Sequence, residues 1–264
     1  MHLAELTTYE VDALARDLPV VVPFSAIEQH GAHLPIGTDT YIVEGILRRV
    51  DERDPNACLW LPVERFGSSP HHMPFRGSVT LSSRTFLDVA LELVESFVHH
   101  GFSNFVLFNG HGGNRAHLDV AVQEIRMGGG RVATARTGDR ARRVVHATYW
   151  SIARDAFAEI RESPLGGMGH ACEMETSAML ALHPELVRPD RLRADGSPPR
   201  SRFDARDMLE GGSIGQFRFF DEMSKTGPIG DPSTASAEKG RRFIDAAASA
   251  LLELLATLRE GKAG

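Results

Sequence analysis

The 264-residue chain predicts an α/β fold with a mostly parallel central sheet and helices on both faces, and three observations carry that expectation. Short Val- and Phe-rich runs alternate with stretches of helical apolar spacing over the first 140 residues. The apolar runs are continuous rather than alternating, as in strands covered on both faces. Glycine-rich loops carrying acids and histidines follow two of these strands, where parallel sheets place their ligands.

Taken in order, Leu18 to Ile27 (LPVVVPFSAI) reads as a buried strand, and Asp39 to Glu52 as the helix it leads into. Cys58 to Val63 is a second apolar run, with Trp60 inside it as a core residue. Thr85 to His100 is an amphipathic helix, and Asn104 to Phe108 (NFVLF) a third strand. His117 to Met127 is again helical, and Arg131 to Ala135 reads as a fourth strand. Beyond residue 140 the pattern weakens, leaving helices over about Met174 to Leu182 and Ser236 to Leu258. The Pro-, Gly- and Arg-rich region 190 to 232 reads as loops. The length is compatible with one domain over residues 1–264.

A hydrophobic fraction of 42% and a charged fraction of 24% describe an ordinary globular protein able to build a core. The net charge of -6 offers no basic footprint for a nucleic-acid backbone. No apolar run has the length of a membrane span, and the start lacks the charged and apolar regions of a signal peptide, so the expected compartment is the cytoplasm. Two cysteines, Cys58 and Cys172, form no disulfide framework; Cys172 reads as a small buried residue.

Chemistry is concentrated in three separated segments: Glu28-Gln29-His30 running on to Asp39, Asn109 to Asn114 (NGHGGN), and His170 with Glu173 and Glu175. Carboxylates and imidazoles bind Zn, Mn or Fe, and a carboxylate can bridge two ions, so this set points to metal-assisted hydrolysis. Glu28 and His30 are two apart, so on an extended segment they face the same way. Asp39 alone would serve as a helix cap, and His30 or His111 alone as a surface histidine. Their joint occurrence in loops after strands favours a metal site. The arginines at 136, 140, 142 and 143 read as a solvated charged face.

Ser25 to Thr40 (SAIEQHGAHLPIGTDT), Phe108 to Asn114 and Gly169 to Ser177 (GHACEMETS) resemble the signature motifs of the creatininase family. Ser69 to Ser78 and Gly227 to Ser236 agree with it in the same order. The resemblance implies a three-layer α/β/α sandwich, a homohexamer and a dinuclear centre that hydrolyses a C–N bond. It implies that Glu28 and His111 bind one ion, His30 the other, and Asp39 both, with His170 as an acid/base or positioning group. Creatininase has a glutamate two residues after the motif histidine, where this chain has Gly113. Glu175 is the first candidate for that missing ligand and Glu173, otherwise a catalytic carboxylate, the second. His71, His72 and Gly112 are the candidate substrate contacts. The expectation is a hydrolase of amide, cyclic amide or formamide bonds using two divalent ions per chain. A peptidase of the kind that trims the mycofactocin precursor is the alternative, and a non-catalytic metal or ligand binder the competing class.

Overall fold

The computed structural model describes residues 1–128, 142–196, 198 and 201–261. The helices are α1 (Thr8–Asp12), α2 (Thr38–Arg53), α3 (Ser83–His99), α4 (Arg115–Met127), α5 (Tyr149–Ile152), α6 (Arg154–Ile160), α7 (Glu173–Leu182) and α8 (Ala237–Arg259). The strands are β1 (Val20–Phe24), β2 (Leu59–Trp60), β3 (Asn104–Asn109), β4 (Arg143–Thr148), β5 (Met168–His170) and β6 (Ile229–Gly230). Strands β2, β1, β3 and β4 lie side by side in that order and run parallel, with Val22 opposite Leu107 and Phe108 opposite Ala147. β5 and β6 form a separate antiparallel pair.

Strand alternation divides the core in two. Val21, Val106, Phe108 and Trp60 face one side and pack with α2, α7 and α8; Val20, Val22, Phe24, Phe105 and Leu107 face the other, against α3 and α4. Every residue of β1 and β3 is buried, which explains their unbroken apolar runs. The result is a three-layer α/β/α sandwich. Ser82 accepts the Thr85 N–H and Ser236 the Lys239 N–H, capping α3 and α8.

Two sequence expectations need correction. RVVHAT, residues Arg143–Thr148, is a strand where no clear signal was read, because only half of it is buried and it lies at the end of the strand order. Tyr149–Ile160 is largely helical in two short pieces, too brief for periodicity to show. The strand expected at Arg131–Ala135, like Arg136 and Arg140, lies outside the described residues. Among the described residues no helix is long and apolar enough to cross a membrane.

Candidate metal centre

The strand ends set the site. Glu28 and His30 follow β1, His111 follows β3, and Asp39 lies in the first turn of α2, so three chain segments converge at the carboxyl edge of the sheet. Asp39 is not a helix cap: Gly37 occupies that position, and the Asp39 carboxylate turns inward. Its Oδ1 lies 3.1 Å from His30 Nε2 and its Oδ2 3.3 Å from His111 Nδ1, one oxygen for each imidazole. Glu28 Oε1 lies 3.2 Å from both His111 Nδ1 and His72 Nε2. Glu175 Oε1 approaches His30 Nε2 at 3.8 Å, while its Oε2 accepts from the Cys172 backbone N–H and thiol. Cys172 is buried as expected.

Outer partners aim these groups inward. His30 Nδ1 donates to the Glu28 carbonyl at 3.2 Å, leaving Nε2 for the cluster. His111 Nε2 donates to the Ser68 carbonyl at 3.1 Å, leaving Nδ1. Ser69 Oγ donates to Glu28 Oε2 at 2.7 Å. This arrangement, a ligating imidazole held by a carbonyl and a carboxylate held by a hydroxyl, is the usual support of metal ligands.

Buried polar atoms must find partners, and here several do not. His30 Nε2, Asp39 Oδ2 and His72 Nε2 are buried without a hydrogen-bond partner although each faces polar atoms nearby. Ligand atoms of Glu28, His30 and Asp39 fall within 4.8 Å of one another, as do those of His30, His170 and Glu175. Two overlapping donor sets sharing His30 fit divalent cations. With no cation the carboxylates hold protons on the imidazoles: burial opposes it, yet Glu28 and Asp39 raise His111 to about 10, and Asp39 raises His30. Burial raises Glu28 and would raise Asp39, but His30 and His111 pull Asp39 well below the usual carboxylate range.

The cluster forms the floor of an open cavity of about 360 Å³. His71, His72, Gly112 and His170 line it, together with Trp150, Phe217, Phe220, Arg115, Arg206 and Arg218. His71 stacks on His111, their rings 5.5 Å apart and 9° from parallel, and burial with His111 and Arg206 nearby lowers its pKa to about 3. His72 is fully buried, 4.0 Å ring to ring from Phe220. His170 packs 4.3 Å from the His30 ring, and the next residue, Ala171, adopts φ 48°, a left-handed backbone rare for a residue with a Cβ.

The family model described as creatininase, creatinine amidohydrolase, matches residues 4–255. The chain belongs to the creatininase family. It is 30% identical to the mycofactocin precursor peptide peptidase of Mycobacterium ulcerans (strain Agy99), over 92% of this chain and 86% of the relative. It is 28% identical to the creatinine amidohydrolase of Pseudomonas putida, covering 93% of this chain and 92% of that protein. A crystal structure of creatininase superposes with TM-score 0.75 over 97% of this chain and 96% of its own, at 25% identity. Creatininase structures of the same identity include a Zn–Zn form and a Mn form.

Against creatininase, the glutamate expected two residues after His111 has no room in this chain. A Cβ on Gly113 would fall 2.1 Å from the Ser68 carbonyl oxygen and 2.5 Å from His111 Nε2. Glu175 from α7 is a second carboxylate near His30 Nε2, at 3.8 Å beside Asp39 at 3.1 Å. Glu173 is the second correction among the site residues: it points away, its side chain fully buried, with Lys239 Nζ at 2.7 Å from Oε1 and the Glu162 and Ser163 N–H groups donating to its two oxygens. Two positions on a helix separate side chains by roughly 200°, so one of the pair had to turn elsewhere. Ser69, Gln29 and the cavity arginines are site residues that sequence reading missed. Only Gln29 and Ser69 left a signal, through their places inside the motifs.

Proposed function

We propose that this creatininase-family chain is an amidohydrolase with a dinuclear metal centre formed by Glu28, His30, Asp39, His111 and Glu175. The observation that carries the reading is the Asp39 carboxylate, one oxygen toward each of two imidazoles whose other nitrogens are tied to carbonyls. Bound divalent ions would polarise an amide carbonyl and lower the pKa of the attacking water. The chain's own groups do the rest. His170, buried against His30, is placed to move a proton from that water to the departing nitrogen, since an amide anion is a poor leaving group. Phe217, Phe220 and Trp150 form an apolar part of the cavity wall.

Hydrolysis of an amide by the purified protein, lost on chelation and restored by Zn or Mn, tests this reading. His170→Ala is expected to lower kcat by roughly 10²-fold or more at unchanged metal content. Metal loss in that variant would make His170 a ligand instead.

The cavity walls bear on substrate. Arg206 and Arg218 share one acid, Asp204, at 3.5 and 4.0 Å, and Arg115 is exposed at the start of α4. Guanidinium groups beside aromatic walls suit an amide that also carries a carboxylate. That favours acidic amides as substrates, and gives specific support to a second reading, a peptidase acting near a free carboxyl terminus. Arg115→Ala is expected to raise KM for an N-acyl amino acid about tenfold with kcat unchanged, the equivalent of about 1.4 kcal/mol of lost uniform binding. An unaltered KM would remove Arg115 from substrate recognition.

A further inference from the structure

Gln29, between two residues of the centre, touches His72 and His170, two of the three cavity histidines that are not among the five proposed ligands. Its side-chain orientation is set from outside. Oε1 accepts the Gly31 N–H at 2.9 Å, so Nε2 is the end that faces the Gly227 carbonyl at 3.1 Å. A Cβ on Gly227 would fall 1.8 Å from Gln29 Oε1, and Gly227 adopts φ +106°, so the bend at Gly227 is shaped around this amide.

An NH₂ group has two hydrogens, and three atoms compete for them. The Gly227 carbonyl takes one, having no hydrogen of its own. The other candidates are His72 Nδ1 at 2.9 Å and His170 Nε2 at 3.1 Å. His170 Nε2 also lies 2.6 Å from the Gln29 backbone carbonyl, a distance at which the nitrogen must carry a proton and donate. A protonated nitrogen cannot accept, so the second amide hydrogen goes to His72 Nδ1, and that atom must be bare.

We infer that Gln29 is a positioning residue that sets opposite tautomers on two facing imidazoles. His72 carries its hydrogen on Nε2, pointing into the centre; His170 carries its hydrogen on Nε2, pointing out, with Nδ1 facing the centre. His72 stands apart from its neighbours in this respect. His30, His111 and His170 each direct an outer nitrogen at a backbone carbonyl, whereas the outer nitrogen of His72 is bonded to the Gln29 NH₂ group. The orphaned His72 Nε2 is then a donor, 3.2 Å from Glu28 Oε1 without hydrogen-bond alignment to it and open to an acceptor from the cavity. To ligate a cation, Nε2 would have to pass its hydrogen to Nδ1, where the Gln29 NH₂ group opposes it, so His72 is not a metal ligand although its ligand atom lies within 4.8 Å of those of Glu28 and His170. In the cavity it offers an N–H to a substrate carbonyl oxygen, while His170 offers a proton acceptor beside it. This function of the pair rests on the amidohydrolase reading; the tautomers themselves do not.

The test is nitrogen NMR under magic-angle spinning on metal-free protein labelled with [¹⁵N]histidine, with His72→Gln and His170→Gln variants to identify the resonances. Wild type is expected to show both rings protonated on Nε2 and bare on Nδ1. In Gln29→Glu, the oxygen replacing Nε2 has no hydrogen to spare for His72 once the Gly227 carbonyl is met. Its ring is expected to switch to the Nδ1-protonated form, while His170, held by the backbone, keeps its tautomer. A wild-type His72 protonated on Nδ1, or a His72 tautomer unmoved in Gln29→Glu, overturns the inference. If the variant does not fold, the wild-type spectrum decides alone. In the metal-bound protein, His72→Gln is expected to keep the wild-type ion content. Absence of metal from both would count against the dinuclear reading and leave the tautomer result standing.

Discussion

Asp39→Ala is expected to reduce bound metal from about two ions per chain to less than half of that, because one substitution removes an oxygen from each half of a shared site. The geometry makes Asp39 the most sensitive position: Oδ1 faces His30 and Oδ2 faces His111, and both imidazoles have their second nitrogen already committed to a carbonyl. Elemental analysis by mass spectrometry after dialysis measures it directly. Thermal melting gives an independent readout. A cation that binds only the folded chain, at about 100 times its Kd, stabilises by about 2.7 kcal/mol, roughly 5–10 °C for a chain of this size. Wild type should show that rise on adding Zn or Mn, and Asp39→Ala should not. Equal metal content in the two proteins would rule out Asp39 as a ligand, and no metal in either would end the dinuclear reading.

Most of the carboxylates and imidazoles that cluster in the candidate site were legible because metal chemistry restricts residue types and the fold restricts where they stand. Glu28, His30 and His111 follow strands whose apolar runs are unbroken, and such runs announce themselves when both faces are buried. β4 did not, since Arg143, Val145 and His146 in RVVHAT are only partly buried and two of them are polar. Gly113 shows what a sequence alone leaves open. An absent ligand could have meant a weakened site, but the Ser68 carbonyl now fills the space its side chain would need, and Glu175 approaches from α7.

Residues whose role depends on the path of a loop were invisible in the same way. Arg206, Arg218, Phe217 and Phe220 come from a stretch without periodicity, and only the fold of 201–223 brings them into the wall of the cavity above the carboxylate–imidazole cluster. The tautomer of His72 is further still from the sequence, because it is decided by which end of a neighbouring amide meets the Gly31 N–H. Gln29 sits inside a recognisable motif, yet nothing in the letters Glu-Gln-His distinguishes a spacer from a residue that orients two rings.

Lys239→Met is expected to cost about 3 kcal/mol of folding stability, the lower end of what removing one partner of a buried ion pair costs. Glu173 has no exposed surface, and Lys239 Nζ lies 2.7 Å from it, reaching across from α8 to the first residue of α7. Two backbone N–H groups, from Glu162 and Ser163, would still solvate the stranded carboxylate, which keeps the loss from being larger. The sign with pH follows. Burial raises the Glu173 pKa, but Lys239 and the N–H donors outweigh it and leave the group lowered. Its contribution is therefore complete above the unfolded value and disappears as pH falls through the folded one. Urea unfolding at neutral pH should show the full difference between wild type and Lys239→Met, and the gap should narrow on acidification. Adding Glu173→Gln to Lys239→Met replaces the unpaired charge with a neutral amide and should recover much of the loss. Metal content should stay at the wild-type level in both variants, separating Glu173 from Glu175 two residues away. A Lys239→Met chain as stable as wild type would mean that the backbone donors alone hold Glu173, and loss of metal would return Glu173 to the centre.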